Sequence, residues 1–150
     1  MVGYTVKTDS AKTARALGKE LPISPKKARE VCQALKGREV GDALEYLEGV
    51  VALEKPVPYK RYNKCVAHQK NCGPGGFPVK VAKAVIRIIE DAQANAEYKG
   101  IDTEKLVIHT ISAHKGRPNK MFRPRAHGRS TPFYQDHTHI EVILSAEEEE

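Results

Sequence analysis

No tryptophan occurs in this chain of 150 residues, aromatic residues make up only 6% of it, and its three cysteines, Cys32, Cys65 and Cys72, form no paired framework. Thiols so few and odd in number exclude a disulfide-stapled scaffold and are what a reducing compartment permits. No apolar run could span a bilayer, the longest being a few residues around 84–89, and the first residues lack the apolar stretch of a signal peptide. Neither a membrane span, a leader nor a membrane partner is therefore expected, and a cytoplasmic location is. Catalytic signatures are missing as well. Gly73-Pro74-Gly75-Gly76, read as a turn, lacks the Gly-Lys-Ser/Thr ending of a phosphate-gripping loop, and there is no nucleophile elbow, HExxH or placed pair of carboxylates. Neither an enzyme nor a cofactor is expected.

Acid is the absence that says most. Residues 55–89 contain no Asp or Glu, yet they hold Lys55, Lys60, Arg61, Lys64, Lys70, Lys80, Lys83 and Arg87. Residues 113–134 again contain none, against Lys115, Arg117, Lys120, Arg123, Arg125 and Arg129. The carboxylates gather elsewhere, at Asp42, Glu45 and Glu48 and in the tail of Glu147, Glu148, Glu149 and Glu150, and even with that tail the net charge is +6. Acid-free basic stretches suit a polyanion, because cations that neutralise phosphates release condensed counterions. Charge alone does not choose between RNA, DNA and an anionic membrane.

What is present reads as one domain, since 40% apolar residues suffice for a single modest core. The first 22 residues offer either an edge strand or an arm lying on a partner. Ser24 as N-cap and Pro25 at the first position open a helix whose stripe is Ala28, Val31, Cys32 and Leu35, stopped by Gly37, with Lys26 and Lys27 on its other face. A second helix spans residues 40–51 on Ala43, Leu44, Leu47, Val50 and Val51, with Pro56 and Pro58 beyond it. A basic insert follows, mixing its cations with Tyr59, Tyr62, His68 and Phe77, so that rings can stack on bases while lysines meet phosphates. The third helix, about residues 78–99, carries the stripe Val79, Ala82, Val85, Ile86, Ile89, Ala92 and Ala96 and would be about 30 Å long.

Two strands, at 106–113 and 137–144, are expected to pair. In the first, Val107, His109, Ile111 and Ala113 would share one face; in the second, Thr138, Ile140, Val142 and Leu144 alternate with His137, His139, Glu141 and Ile143. The basic stretch between them is too long for an ordinary connection, and an arm of eleven residues each way would reach roughly 36 Å. The expectation is an α+β fold: a small antiparallel sheet packed against three helices, with a long protruding basic β-hairpin. Within the single domain 1–150, the body is about 12–112 and 136–145, the arm 113–135, and the acidic disordered tail 146–150.

Two other classes can be drawn from the same residues. Cys65, His68 and Cys72 lie close in sequence, and His137 and His139 share a strand face, which a zinc hydrolase could use. Structural zinc sites show two well-spaced ligand pairs, which this spacing lacks, so no metal is expected. The alternative from another class is a DNA-architectural protein whose basic ribbon clasps a groove.

The stretch MFRPRAHGRSTPF followed by HTHIEVILS resembles the long hairpin of the universal large-subunit ribosomal protein family L-twenty-two, called L-seventeen in eukaryotes. ISPKKAREVCQALKGREVGDALEYLEGV is similar to that family's first two helices, and KRYNKCVAHQKNCGPGGFPVKVAKAVIRIIEDAQANAEYKG to its third helix with a preceding insert of archaeal and eukaryotic form. The likeness covers about residues 14–145, and the absence of a eukaryotic extension points to an archaeal type.

The resemblance implies a structural ribosomal protein without a homo-oligomeric state. Its body would lie on large-subunit RNA, with a hairpin tip in the wall of the nascent-peptide exit tunnel, opposite ribosomal protein L-four. RNA contacts are then expected from Lys26, Lys27, Lys60, Arg61, Tyr62, Lys64, His68, Lys70, Lys80, Lys83, Lys115, Arg117, Lys120, Arg123, Arg125 and Arg129. Carried over by motif, the tip comprises Asn119, Lys120, Met121, Phe122, Arg123, Arg125 and His127. From spacing, Lys115, Arg117 and Arg129 are assigned to the stem and Met121, Phe122, Arg123 and His127 to the neighbourhood of the tip.

Overall fold

The computed structural model describes residues 3–8, 12–103 and 105–146. The glutamates of the acidic tail, Glu147 to Glu150, and part of the first eleven residues lie outside the described residues. The chain runs β1 (Thr13–Leu21), α1 (Pro25–Leu35), α2 (Val40–Val51), β2 (Val57–Pro58), β3 (His68–Gln69), β4 (Gly73–Gly76), α3 (Val79–Tyr98), β5 (Leu106–Lys115), β6 (Asn119–Pro124), β7 (Ser130–Gln135) and β8 (Thr138–Ala146). It is an α+β fold of three helices and small antiparallel sheets, as expected.

The main sheet has the order β1-β8-β5, antiparallel throughout. Its central strand β8 is buried from Thr138 to Leu144. Ile140, Val142 and Leu144 join the helix-covered core with Ala28, Val31 and Leu35 of α1, Leu47 of α2 and Val85, Ile89 and Ala92 of α3. The N-terminal stretch, which the sequence left undecided, supplies the edge strand β1. Small residues let α3 approach it: a Cβ on Gly18 would stand 2.5 Å from Ile88 Cδ1. In α3 the stripe is slightly rotated from expectation, with Val81 and Ile88 buried and Val79 and Ile86 only partly so.

Strand β5 departs from simple alternation. Ile108 faces Leu144, but Thr110 faces Ile143 and Ile111 faces Val142, so the ladder slips at His109. The extra residue reverses the phase, and the core side reads Leu106, Ile108 and Ile111 rather than one unbroken alternation. The outer edge of β5 is capped by the turn after α1, where Gly37 N–H donates to Ile108 O (3.0 Å) and Ile108 N–H to Arg38 O (2.9 Å).

The insert forms a second sheet, β2-β4-β3. Gly73–Gly76, expected as a turn, is its middle strand. The turn comes earlier, at residues 70–72, with Asn71 and the first strand residue Gly73 both at positive φ. Glycine is required at position 75 for space: a Cβ there would sit 2.9 Å from both Val57 O and Cys72 Sγ.

Candidate nucleic-acid interface

The acid-free insert is held to the body by an acid. Glu30, the single carboxylate of α1, is 1% exposed, and its side chain receives three consecutive backbone N–H groups. Lys60 N donates to Oε2 (2.9 Å), and Arg61 N and Tyr62 N to Oε1 (3.2 and 3.0 Å). Arg29 completes the set through a guanidinium nitrogen 3.0 Å from Oε1. Burial disfavours the ionised carboxyl, but these donors outweigh it and hold its pKa below the ordinary value. A buried carboxylate stripped of such partners would be strongly destabilising.

Around this anchor the exposed cations converge. Lys26 of α1 and Arg61 of the insert both lie on the Tyr62 ring, at 5.8 and 5.6 Å from its centroid. The ring remains 37% exposed. Residues far apart in sequence thus form one basic and aromatic patch, which also displays the exposed Lys60. Lys64 and Lys70 stand exposed on the loops of the insert, and His68 is exposed on β3, where it faces Pro74.

A second gathering lies where the N-terminal ends of α1 and α3 meet the base of the ribbon. Lys27 and Lys80 line a cleft of about 390 Å³ there, together with Ser24, Val79, Gln135 and Asp136. The Asp136 carboxylate is engaged by Lys115 Nζ at 3.4 Å. Further along α3, Lys83 and Arg87 flank a groove beside Leu21 and Ile88.

The third part is the ribbon of β6 and β7, whose residues are exposed from Asn119 to Tyr134. Opposed residues share a face, so the register sorts the side chains. One face carries Met121 opposite Phe133 and Arg123 opposite Thr131, with the Arg123 guanidinium stacked 3.7 Å from the Phe133 centroid. The other carries Lys120 opposite Tyr134 and Phe122, 62% exposed, opposite Pro132. The reversal is at residues 125–129, where Arg125 N–H donates to Arg129 O (2.7 Å) and His127 and Gly128 take positive φ. Arg129 therefore sits in the turn and not in the stem, while Met121 lies midway along the outgoing strand. Spacing had divided them otherwise because it could not locate the left-handed pair that makes the turn.

Stem and ribbon meet at a bulge. Lys115 faces Thr138 and Asn119 faces Gln135, leaving Gly116, Arg117 and Pro118 opposite only Asp136 and His137. Gly116 N–H donates to His137 O (2.7 Å), and the His137 ring bonds Arg117 O (3.1 Å). A Cβ on Gly116 would stand 3.2 Å from His137 O and from His139 Nε2.

On the sheet face away from the helices, buried Glu141 ties down the N-terminal segment. It accepts from Thr5 N (2.9 Å), the Thr5 hydroxyl and Ser112 Oγ (2.5 Å), with His114 Nε2 at 3.5 Å. Burial opposes its ionisation too, and these donors hold its carboxyl below the ordinary range. Neither Glu30 nor Glu141 was singled out in the sequence. The signal for Glu30 was its solitude: one carboxylate on a basic helix beside an insert that has none.

Among the described residues no group of three or more His, Cys, Asp or Glu side chains could hold a metal ion. His139 instead accepts the Glu20 backbone N–H at Nδ1 (3.1 Å), and Cys32 is buried, its thiol pushed up to about 12 by desolvation. No helix among the described residues is long and apolar enough to cross a membrane.

The sequence has relatives among known proteins. The profile of a family described as Ribosomal protein L22p/L17e matches residues 16–145. A protein of Methanocaldococcus jannaschii named Large ribosomal subunit protein uL22 is 46% identical over 144 residues, covering 94% of this chain and 92% of its own. Proteins of the same name from Methanopyrus kandleri and Archaeoglobus fulgidus are 48% and 42% identical, over 91% and 95% of this chain and 88% and 94% of their own.

Proposed function

This chain belongs to the ribosomal protein L22p/L17e family, and on that footing we propose that it is a structural constituent of the large ribosomal subunit that binds the subunit's RNA and helps its assembly. The observation that carries the reading is the family match over residues 16–145, in which body, insert and ribbon occur together and in order. The DNA-architectural alternative gains no support from the family or from the relatives named above.

In finer detail, the body binds RNA through the patch of Lys26, Lys60, Arg61 and Tyr62 and through the cleft of Lys27 and Lys80. The ribbon threads the RNA, its arginines meeting phosphates and its rings meeting bases or peptide. A thin antiparallel ribbon without a carboxylate between residues 113 and 134 supports this, because it can enter phosphate-dense RNA where a globular domain cannot. Its far end, near Arg125 and His127, lines the nascent-peptide exit tunnel across from ribosomal protein L-four.

A tagged full-length chain expressed in a related archaeon is expected to co-sediment with large subunits through a sucrose gradient, and to stay with them in high-salt washes. Recovery only from ribosome-free fractions would overturn the reading. For the tunnel, crosslinking from position 127 is expected to reach stalled nascent chains.

A further inference from the structure

The residue that the RNA-binding reading does not use is Glu30, although it holds together the patch which that reading needs. Its carboxylate is surrounded by donors on both sides: three successive N–H groups of the insert and the Arg29 guanidinium. Successive N–H groups pointing at one spot make an anion-binding concavity of the kind that often receives phosphate. Here the chain fills that concavity with its own side chain, so the backbone at 60–62 cannot be a phosphate site. What the arrangement leaves available is what projects outward, the Tyr62 ring with Lys26 and Arg61 upon it.

An aromatic ring bordered by cations and left partly open has the composition of a single-strand stacking platform: the ring takes a base and the cations take the adjoining phosphates. Such a platform works only if the ring's position is fixed before the partner arrives, since ordering a free loop would consume much of the stacking energy. Fixing it falls to Glu30, because this short stretch of the insert has no strand or helix of its own. The insert's small sheet engages residues 57–58, 68–69 and 73–76 and leaves 60–62 outside the ladder.

We propose that Tyr62, with Lys26 and Arg61, is a binding site for one unpaired nucleobase of the large-subunit RNA, and that Glu30 is its positioning residue. The proposal rests on the RNA-binding reading above and deepens it.

The lack of tryptophan in the chain makes the test direct. In the full-length Tyr62→Trp variant the substituted indole is the sole such fluorophore, and base stacking quenches it. Deproteinised large-subunit RNA from a related archaeon is the probe, with binding followed independently by filter retention. The expected result is strong quenching on binding. Glu30→Gln in the same background should abolish most of that quenching and lower affinity by about tenfold, the order of one stacked base, while the protein stays folded by circular dichroism. Glutamine keeps the volume, but it loses the charge and replaces one of the two accepting oxygens with an NH2 group, so the N–H groups on that side meet a donor.

Retention of RNA without quenching in Tyr62→Trp would overturn the proposal and leave the RNA-binding reading standing. Undiminished quenching with Glu30→Gln would overturn the role of Glu30. Absence of any RNA retention would instead count against the underlying reading. Should Glu30→Gln fail to fold, the single Tyr62→Trp variant still decides whether a base stacks there.

Discussion

Glu30 and Glu141 are the two buried carboxylates among the described residues, and each has a pKa held below the ordinary value by donors that overcome burial. A depressed folded-state pKa means that the unfolded chain binds the proton more readily. The stability these groups confer is therefore fully present above the unfolded value of about 4.3 and is lost as pH falls through the lower folded values. Urea midpoints should stay flat from neutrality down to about pH 5 and then drop. In the Glu30→Gln, Glu141→Gln double variant the midpoint should start lower and depend less steeply on pH in the acid range. Gly75 is the opposite kind of residue, important for what it lacks. Because a methyl group there would press on the Val57 carbonyl as well as on Cys72 Sγ, Gly75→Ala should destabilise by about 1–3 kcal/mol, read from the urea midpoint.

At the scale of elements, what was legible in the sequence was local. The start of α1 follows from Pro25, whose preference acts within one turn, while Ser24 takes the N-cap position without a side-chain cap hydrogen bond; the strand pairing of β5 with β8 follows from two runs of alternating residues. Where a tertiary contact set the geometry, the pattern misled. Gly73–Gly76 became a strand because Val57 and His68–Gln69 flank it, and β5 changed phase at His109. The same division holds for the interface: its cations could be read directly, but Glu30 could not, since its meaning depends on N–H groups about thirty residues away. The ribbon is an element whose residues from 119 to 134 are exposed, so the body should not need it. Joining Pro118 directly to Asp136 should leave the urea midpoint within about 0.5 kcal/mol of the parent, while RNA retention weakens.

Over the whole molecule the charge is sorted. The insert and the ribbon are free of acid, whereas α2 exposes Asp42, Glu45 and Glu48, of which Glu45 is bridged to Lys55 at 2.6 Å. Repulsion from α2 and attraction at the basic regions orient the chain on a polyanion before any specific contact forms. Removing three ribbon cations together, Arg123→Ala, Arg125→Ala and Arg129→Ala, should lower the slope of log affinity against log salt by about 2, measured by filter binding. Substituting Asp42 and Glu45 by alanine should leave that slope unchanged.

The bulge between stem and ribbon has an evolutionary corollary. With three residues facing two, the joint works as an angular setting for everything beyond it, because the count of residues decides where each face of the ribbon points. Deleting Arg117 would restore a regular ladder and re-aim the Arg123 and Phe133 face without altering either residue. Drift in side-chain identity along the ribbon is then tolerable position by position, whereas a single-codon insertion or deletion at the joint misdirects the entire arm. In related chains, the spacing between Lys115 and Asn119 is the quantity that selection has most reason to hold constant.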